Sequence, residues 1–175
     1  FNPFRPIMSV IMNNRDHRKI FVVDGKVGFT GGINLADEYI NVASRFGYWK
    51  DTGIRLEGEA VWSMTVMFLE MWNAAGNVKS KELVPEKYVI HYAYQAQQRG
   101  YVQPYADSPL DGEQVGEEVY ISMANKAEKY CWFITPYLII TDEMTHALTL
   151  AAKRGVDVKI VMPGIPDKAC LLYTS

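Results

Sequence analysis

His17, Lys19 and Asp24 stand in the spacing His-x-Lys-x4-Asp, and six residues separate Asp24 from Gly31-Gly32-Ile33-Asn34. A phosphodiester carries a negative charge that repels nucleophiles. A neutral imidazole can still attack phosphorus if an ammonium and an amide hold the non-bridging oxygens. His17 suits the first role, and Lys19 and Asn34 the second. Glycines at 31 and 32 let the backbone approach a ligand more closely than a β-carbon would allow, which adds Gly32 to the phosphate-binding candidates. A lone histidine on a strand is more often packed or simply exposed, so phosphoryl chemistry rests on all six positions standing in register.

The elements that must position these residues follow from pattern. Lys19 to Val23 and Lys26 to Thr30 are β-branched and aromatic runs, and the Asp24-Gly25 step between them predicts a hairpin. Alternation then puts His17, Lys19, Phe21 and Val23 on one face. After the hairpin, Asn34 to Tyr39 predicts a helical turn with Asn34 where an N-cap belongs, a structural alternative to its phosphate role. A polar loop, 41–47, leads through Trp49-Lys50-Asp51-Thr52 into a strand over Gly53 to Glu57.

Ala60 to Ala75 reads as a helix, because Val61, Met64, Phe68, Met71 and Trp72 recur at three- and four-residue steps. Its methionines and tryptophans form either a core stripe or a lipid-facing one, and a helix covering a sheet presents the former. Residues 81–100 read as a connector. Beyond it, a strand over Tyr101 to Tyr105, a helix over Val115 to Glu128, a strand over Tyr130 to Thr135, a helix from Thr141 to Arg154 capped by Gly155, and a strand over Val156 to Met162 alternate. The fold class predicted is α/β, a mixed β-sheet flanked by helices.

The set His17, Lys19, Asp24, Gly31, Gly32 and Asn34 resembles the HKD signature of the phospholipase D superfamily. The Gly-Gly form, with Asn-Arg-Asp-His-Arg-Lys around the histidine, is most similar to bacterial cardiolipin synthases. The resemblance continues through Ala36-Asp37-Glu38-Tyr39, Tyr48-Trp49-Lys50-Asp51-Thr52, Ile134-Thr135-Pro136-Tyr137 and Val161-Met162-Pro163-Gly164. It implies an incomplete α-β-α sandwich of the phospholipase D type. Residues 1–80 would be the C-terminal part of a first such domain, 101–168 the start of a second, and 169–175 an atypical tail.

The function implied is transfer of a phosphatidyl group through a phosphohistidine, joining two phosphatidylglycerols into cardiolipin with release of glycerol. The alternatives are a hydrolase using the same motif, either lipase or nuclease, and a half-site inactive without the second HKD half. His17, Lys19 and Asp24 would be catalytic, Asp24 in support. The resemblance also implies a carboxylate downstream of the motif that orients the histidine through its other nitrogen. Asp51 is the residue expected there, with an oxygen about 2.6–3.2 Å from the His17 ring; its alternative is to cap a turn.

Composition narrows the partners. The 175 residues are 49% hydrophobic and 22% charged, with a net charge of −2 and no strongly basic half. A polynucleotide substrate would call for a positive stripe, so no nucleic acid is expected. The two cysteines, Cys131 and Cys170, lack a metal-ligand spacing, and the chemistry resembled uses none, so neither metal nor cofactor is expected. No apolar run reaches the roughly 20 residues that span a bilayer. The chain starts at Phe1 and reads as a piece whose membrane helices and second HKD lie elsewhere. The expected partners are therefore phosphatidylglycerol, other phospholipids and a bacterial membrane surface, and the expected location is the cell membrane.

Overall fold

The computed structural model describes residues 16–45, 47–74, 84–96, 100–108 and 112–164. Residues 7–13, whose sequence suggests a short helix leading into the motif, lie outside the described residues, as do Cys170 and the atypical tail. Two compact units result. One comprises the described residues before Ser44 together with Trp49–Pro104, and the other Ser44–Tyr48 together with the described residues from Tyr105.

The first unit is built on a hairpin. Strands β1 (Ile20–Val23) and β2 (Val27–Gly31) pair antiparallel, with Ile20 opposite Thr30 and Val23 opposite Val27. Asp24 (φ 51°) and Gly25 (φ 65°) both take left-handed backbone, and the Lys26 amide closes the turn on the Val23 carbonyl at 3.0 Å. Asp and Gly tolerate that conformation better than most residues, which is why the turn falls where the sequence placed it. β3 (Gly53–Glu57) adds to the other edge of β2, pairing Gly28 with Leu56 and Gly31 with Gly53.

Helix α1 (Ala60–Ala74) covers one face of this sheet and lays Val61 and Met64 over Gly28; both are fully buried, with Thr65 and Leu69 beside them. Fully burying each such apolar side chain contributes about 1.5–3 kcal/mol. Part of the expected stripe behaves differently. Phe68 and Trp72 stack on each other 5.8 Å apart and are nearly half exposed, because they lie at the margin of the face that meets the sheet.

The helical turn expected after the hairpin is a single 3₁₀ turn, Asp37–Ile40. Its N-cap position belongs to Ala36, not Asn34, and no side chain caps it. In the connector, a 3₁₀ turn at Pro85–Tyr88 is followed by extended chain. The Tyr92 hydroxyl pins that chain, accepting from the Gly58 amide at 2.9 Å and donating to the Lys26 carbonyl at 3.1 Å.

The second unit holds α2 (Val115–Lys126), β4 (Tyr130–Ile134), α3 (Asp142–Lys153) and β5 (Asp157–Val161). β4 and β5 run parallel, Tyr130 opposite Asp157, as a strand–helix–strand connection requires. Ala124, Cys131, Met144, Ala147, Leu148, Ala151 and Val156 form the buried core, flanked by Ile121, Ala127, Phe133 and Val158. The Thr141 hydroxyl accepts from the Met144 amide at 3.2 Å and so caps α3, while Gly155 ends it at φ 91°. Tyr101 to Tyr105 is not a strand. Among the described residues no strand pairs with it, Tyr101 is fully exposed, and Pro104 has no amide to give a ladder. The architecture is mixed α/β, one antiparallel and one parallel sheet flanked by helices.

Candidate functional site

The site grows from the start of β1. That strand begins at Ile20, so His17 and Lys19 sit on the segment leading into it and not in the ladder itself. The Lys19 ammonium donates to the His17 carbonyl at 2.6 Å, which folds the segment back on itself. Burial lowers the Lys19 pKa from its ordinary value, and the negative charges of Asp51 and Asp16 act against that shift. Lys19 makes no ion pair among the described residues, and no hydrogen bond among them reaches the exposed His17 ring.

Arg18 is spoken for. Its guanidinium grips the Asp16 carboxylate, Nε lying 3.0 Å from Oδ1 and 2.9 Å from Oδ2 and Nη2 2.6 Å from Oδ2, while the Arg18 amide adds a bond of 2.8 Å to Oδ1. This hydrogen bonding, first of all, holds the Asp16 carboxyl below the usual carboxylate range. The cation next to His17 is therefore neutralised by a carboxylate two residues away, whereas Lys19 has no carboxylate partner among the described residues. Sequence reasoning passed over Asp16, although the Asp-His-Arg spacing was visible.

Asp51 is held in place from elsewhere. Oδ1 accepts from the Thr52 amide at 2.8 Å and Oδ2 from the Trp49 indole at 3.2 Å. The expected hydrogen bond to His17 is not formed, the carboxylate being oriented by these two donors, and no turn stands at Asp51-Thr52 for it to cap. Gly31 and Gly32 fit around this arrangement. A β-carbon on Gly31 would come within 2.4 Å of the Thr52 carbonyl, and one on Gly32 within 2.5 Å of Asp51 Oδ1. The close approach that these glycines permit is thus to the chain's own β3 entrance and Asp51 carboxylate.

Behind Asp51 stands a support that the sequence reading missed. The Asn41 side chain clamps the Trp49 backbone from both sides, donating to its carbonyl at 2.8 Å and accepting from its amide at 2.6 Å. Asn41 itself takes left-handed backbone, φ 62°, as asparagine tolerates. Tyr39 meets the Trp49 ring edge-on at 4.9 Å. An asparagine opening a polar loop that ends in an aromatic was the only available signal.

Asn34 is half-buried and its side-chain amide makes no hydrogen bond among the described residues. Loss of the capping role leaves that amide available. Asp24 is not brought to this end of the sheet, since the hairpin turn places it at the far end of β1 from Lys19. Among the described residues no cluster of histidine, cysteine and carboxylate groups could hold a metal ion, and no helix is long and apolar enough to cross a membrane.

Comparison with known proteins adds the family. Residues 120–174 match the family model described as cardiolipin synthase, PLD-like domain. An uncharacterized protein of Streptococcus mutans is 58% identical over 168 residues, covering 96% of this chain and 36% of that protein. Cardiolipin synthase 2 of Bacillus anthracis is 38% identical and cardiolipin synthase of Alkalihalophilus pseudofirmus 36%, each over all of this chain and 34% of its own length. The chain spans about a third of the curated relatives it matches. The similarity to bacterial cardiolipin synthases runs along the whole of this chain, and its residues 120–174 are similar to their PLD-like domain.

Proposed function

We propose that this chain contributes one half of the active site of a phosphatidyltransferase that makes cardiolipin from two phosphatidylglycerols. The observation that carries this reading is the partly buried Lys19 ammonium, free of any ion pair among the described residues, beside a His17 ring that no hydrogen bond occupies. A desolvated cation without a counter-ion is costly unless an anion comes to it. A lipid phosphate is such an anion.

In the proposed reaction a histidine nitrogen attacks the phosphorus of one phosphatidylglycerol and the bond to the glycerol oxygen breaks. That oxygen leaves as glycerol after taking a proton from the partner histidine, leaving a phosphatidyl-histidine. The hydroxyl of a second phosphatidylglycerol then attacks phosphorus, returns its proton to the partner histidine, and releases cardiolipin and the free imidazole. His17 is one histidine of the pair, and the other comes from a second His-x-Lys half. Lys19 and Asn34 hold the phosphate oxygens, while the Gly32 amide already donates to the Thr52 carbonyl at 3.3 Å and shapes the site from behind. Asp51 is proposed to accept the second imidazole N–H during the reaction. Asp24 supports the site only through the hairpin it turns. The lipid substrate implies work at a membrane surface.

The test is to express the complete reading frame that contains this chain, supply labelled phosphatidylglycerol, and separate the products. Labelled cardiolipin and free glycerol, both lost in His17→Asn, are the expected result. Phosphatidic acid as sole product would make the enzyme a hydrolase. A second reading is favoured by the single His-x-Lys-x4-Asp set in these 175 residues: the chain by itself is a half-site without turnover. Assay of the isolated chain alongside sedimentation decides that, since turnover by a monomer would exclude it.

A further inference from the structure

We propose that Trp49 is a positioning residue for the phosphate site, its indole N–H holding the Asp51 carboxylate against Gly32 and so keeping it from pairing with Lys19. The inference rests on the phosphate role just given to Lys19. Three observations carry it. The Trp49 indole donates to Asp51 Oδ2 at 3.2 Å. The Asn41 clamp, with bonds of 2.8 and 2.6 Å, fixes the Trp49 backbone from which the indole projects. The register that sets Ile20 opposite Thr30 brings Lys19, one residue earlier, to the Gly31–Gly32 end of β2 against which Asp51 packs, yet the two form no ion pair.

A carboxylate and a partly desolvated ammonium at such range attract, and an unrestrained aspartate would rotate to close the gap. A closed Asp51–Lys19 pair would occupy the ammonium that a phosphate needs. Thr52 alone cannot prevent this, because a bond to Oδ1 leaves the carboxylate free to pivot about that oxygen. The indole supplies the second point of attachment. The ring that carries it packs against Tyr39, centroids 4.9 Å apart and planes nearly perpendicular, which restrains the donor. The charges acting on Lys19 are Asp51 and Asp16, and Asp16 is already committed to Arg18. Asp51 is therefore the only one whose freedom Trp49 can control.

The experiment is a double-mutant cycle on the 175-residue chain, comparing Trp49→Phe in the Asp51 background with Trp49→Phe in an Asp51→Asn background. Phenylalanine keeps a ring against Tyr39 and removes only the donor, and circular dichroism checks that each variant is folded. The first readout is the titration of the Lys19 ammonium, followed by NMR of the 13Cε-labelled lysines with Lys19→Arg for assignment. Trp49→Phe raises the Lys19 pKa when residue 51 is aspartate and leaves it unchanged when residue 51 is asparagine. The second readout is the affinity for inorganic phosphate, which falls roughly tenfold in Trp49→Phe and recovers when Asp51→Asn is added, the size expected for losing a hydrogen bond to a charged group. Equal effects of Trp49→Phe in both backgrounds would mean that Trp49 acts through packing alone, and the proposal would be overturned. If no variant binds phosphate but the lysine titration follows the cycle, the positioning role stands and the phosphate assignment of Lys19 falls.

Discussion

Lys19 and Asp16 titrate in ways that separate activity from stability. Burial lowers the Lys19 pKa, so its ammonium discharges as pH rises through a value below the ordinary lysine one. Activity that depends on Lys19 is therefore full below that lowered pKa and lost above it, and the alkaline limb of a pH–rate profile should fall earlier than an unperturbed lysine would give. A limb at or above the ordinary value would detach Lys19 from the reaction. Asp16 has the opposite role. Its folded pKa is depressed, chiefly by the hydrogen bonds from Arg18, so its contribution to stability is present above the unfolded carboxylate value and disappears as pH falls through the folded one. Asp16→Asn should flatten that acid limb in urea unfolding by lowering stability at neutral pH while leaving it unchanged in acid, and the drop should be small because the pair is partly exposed. Gly32→Ala is the sharpest single test of the packing around Asp51. The new β-carbon would stand 2.5 Å from Oδ1, displacing the end of the Asp51 side chain from Thr52 or Trp49, and a loss of about 1 kcal/mol, the net worth of a hydrogen bond, is expected.

Elements whose signals are local were legible. The Asp24-Gly25 turn, β3 at Gly53–Glu57, the α1 start at Ala60 and the α3 cap at Thr141 all fall where backbone chemistry in a few adjacent residues dictates them. Thr141 also donates to the Glu117 carboxylate of α2, a contact between distant residues that no local pattern shows. Thr141→Ala should cost about 1 kcal/mol through the lost cap alone, and more if the Glu117 contact contributes; thermal unfolding measures it, and no change would mean that solvent caps α3 equally well. The strand expected at Tyr101 to Tyr105 failed for the converse reason, since a strand exists only where a partner edge meets it. The site divides along the same line. The order of His17, Lys19, Gly32 and Asn34 was readable from spacing, whereas the Asn41–Trp49–Asp51 support depends on a loop closing over eight residues, and spacing carries no trace of that.

On the scale of the whole molecule, each sheet has one face under a helix and one on which exposed aromatic and aliphatic side chains stand beside an ion pair, Arg55–Glu57 in the first unit and Lys159–Asp157 in the second. In the first unit α1 covers the Gly28 side, while Phe21 is 64% exposed on the other, its ring 6.1 Å from that of Phe29. In the second, Cys131 and Phe133 turn toward the helices, and Tyr130, Trp132 and Ile134 are 64%, 56% and 85% exposed. Trp132 is partly engaged, its indole donating to Asp157 at 3.1 Å and the Lys159 ammonium lying 4.4 Å from its ring, but Ile134 has no such polar cover. Aromatic and aliphatic side chains exposed in clusters like these tend to be buried against something. With a net charge of only −2, repulsion between copies is too weak to oppose that tendency. The 175-residue chain should therefore bind a hydrophobic dye such as ANS in its folded state and associate increasingly with concentration. Phe21→Lys should weaken both effects for the first unit and Ile134→Lys for the second, since each adds a charge to an uncovered face without touching a core. A chain that sediments as a monomer at about 100 μM and leaves the dye dark would show that these faces are covered in solution.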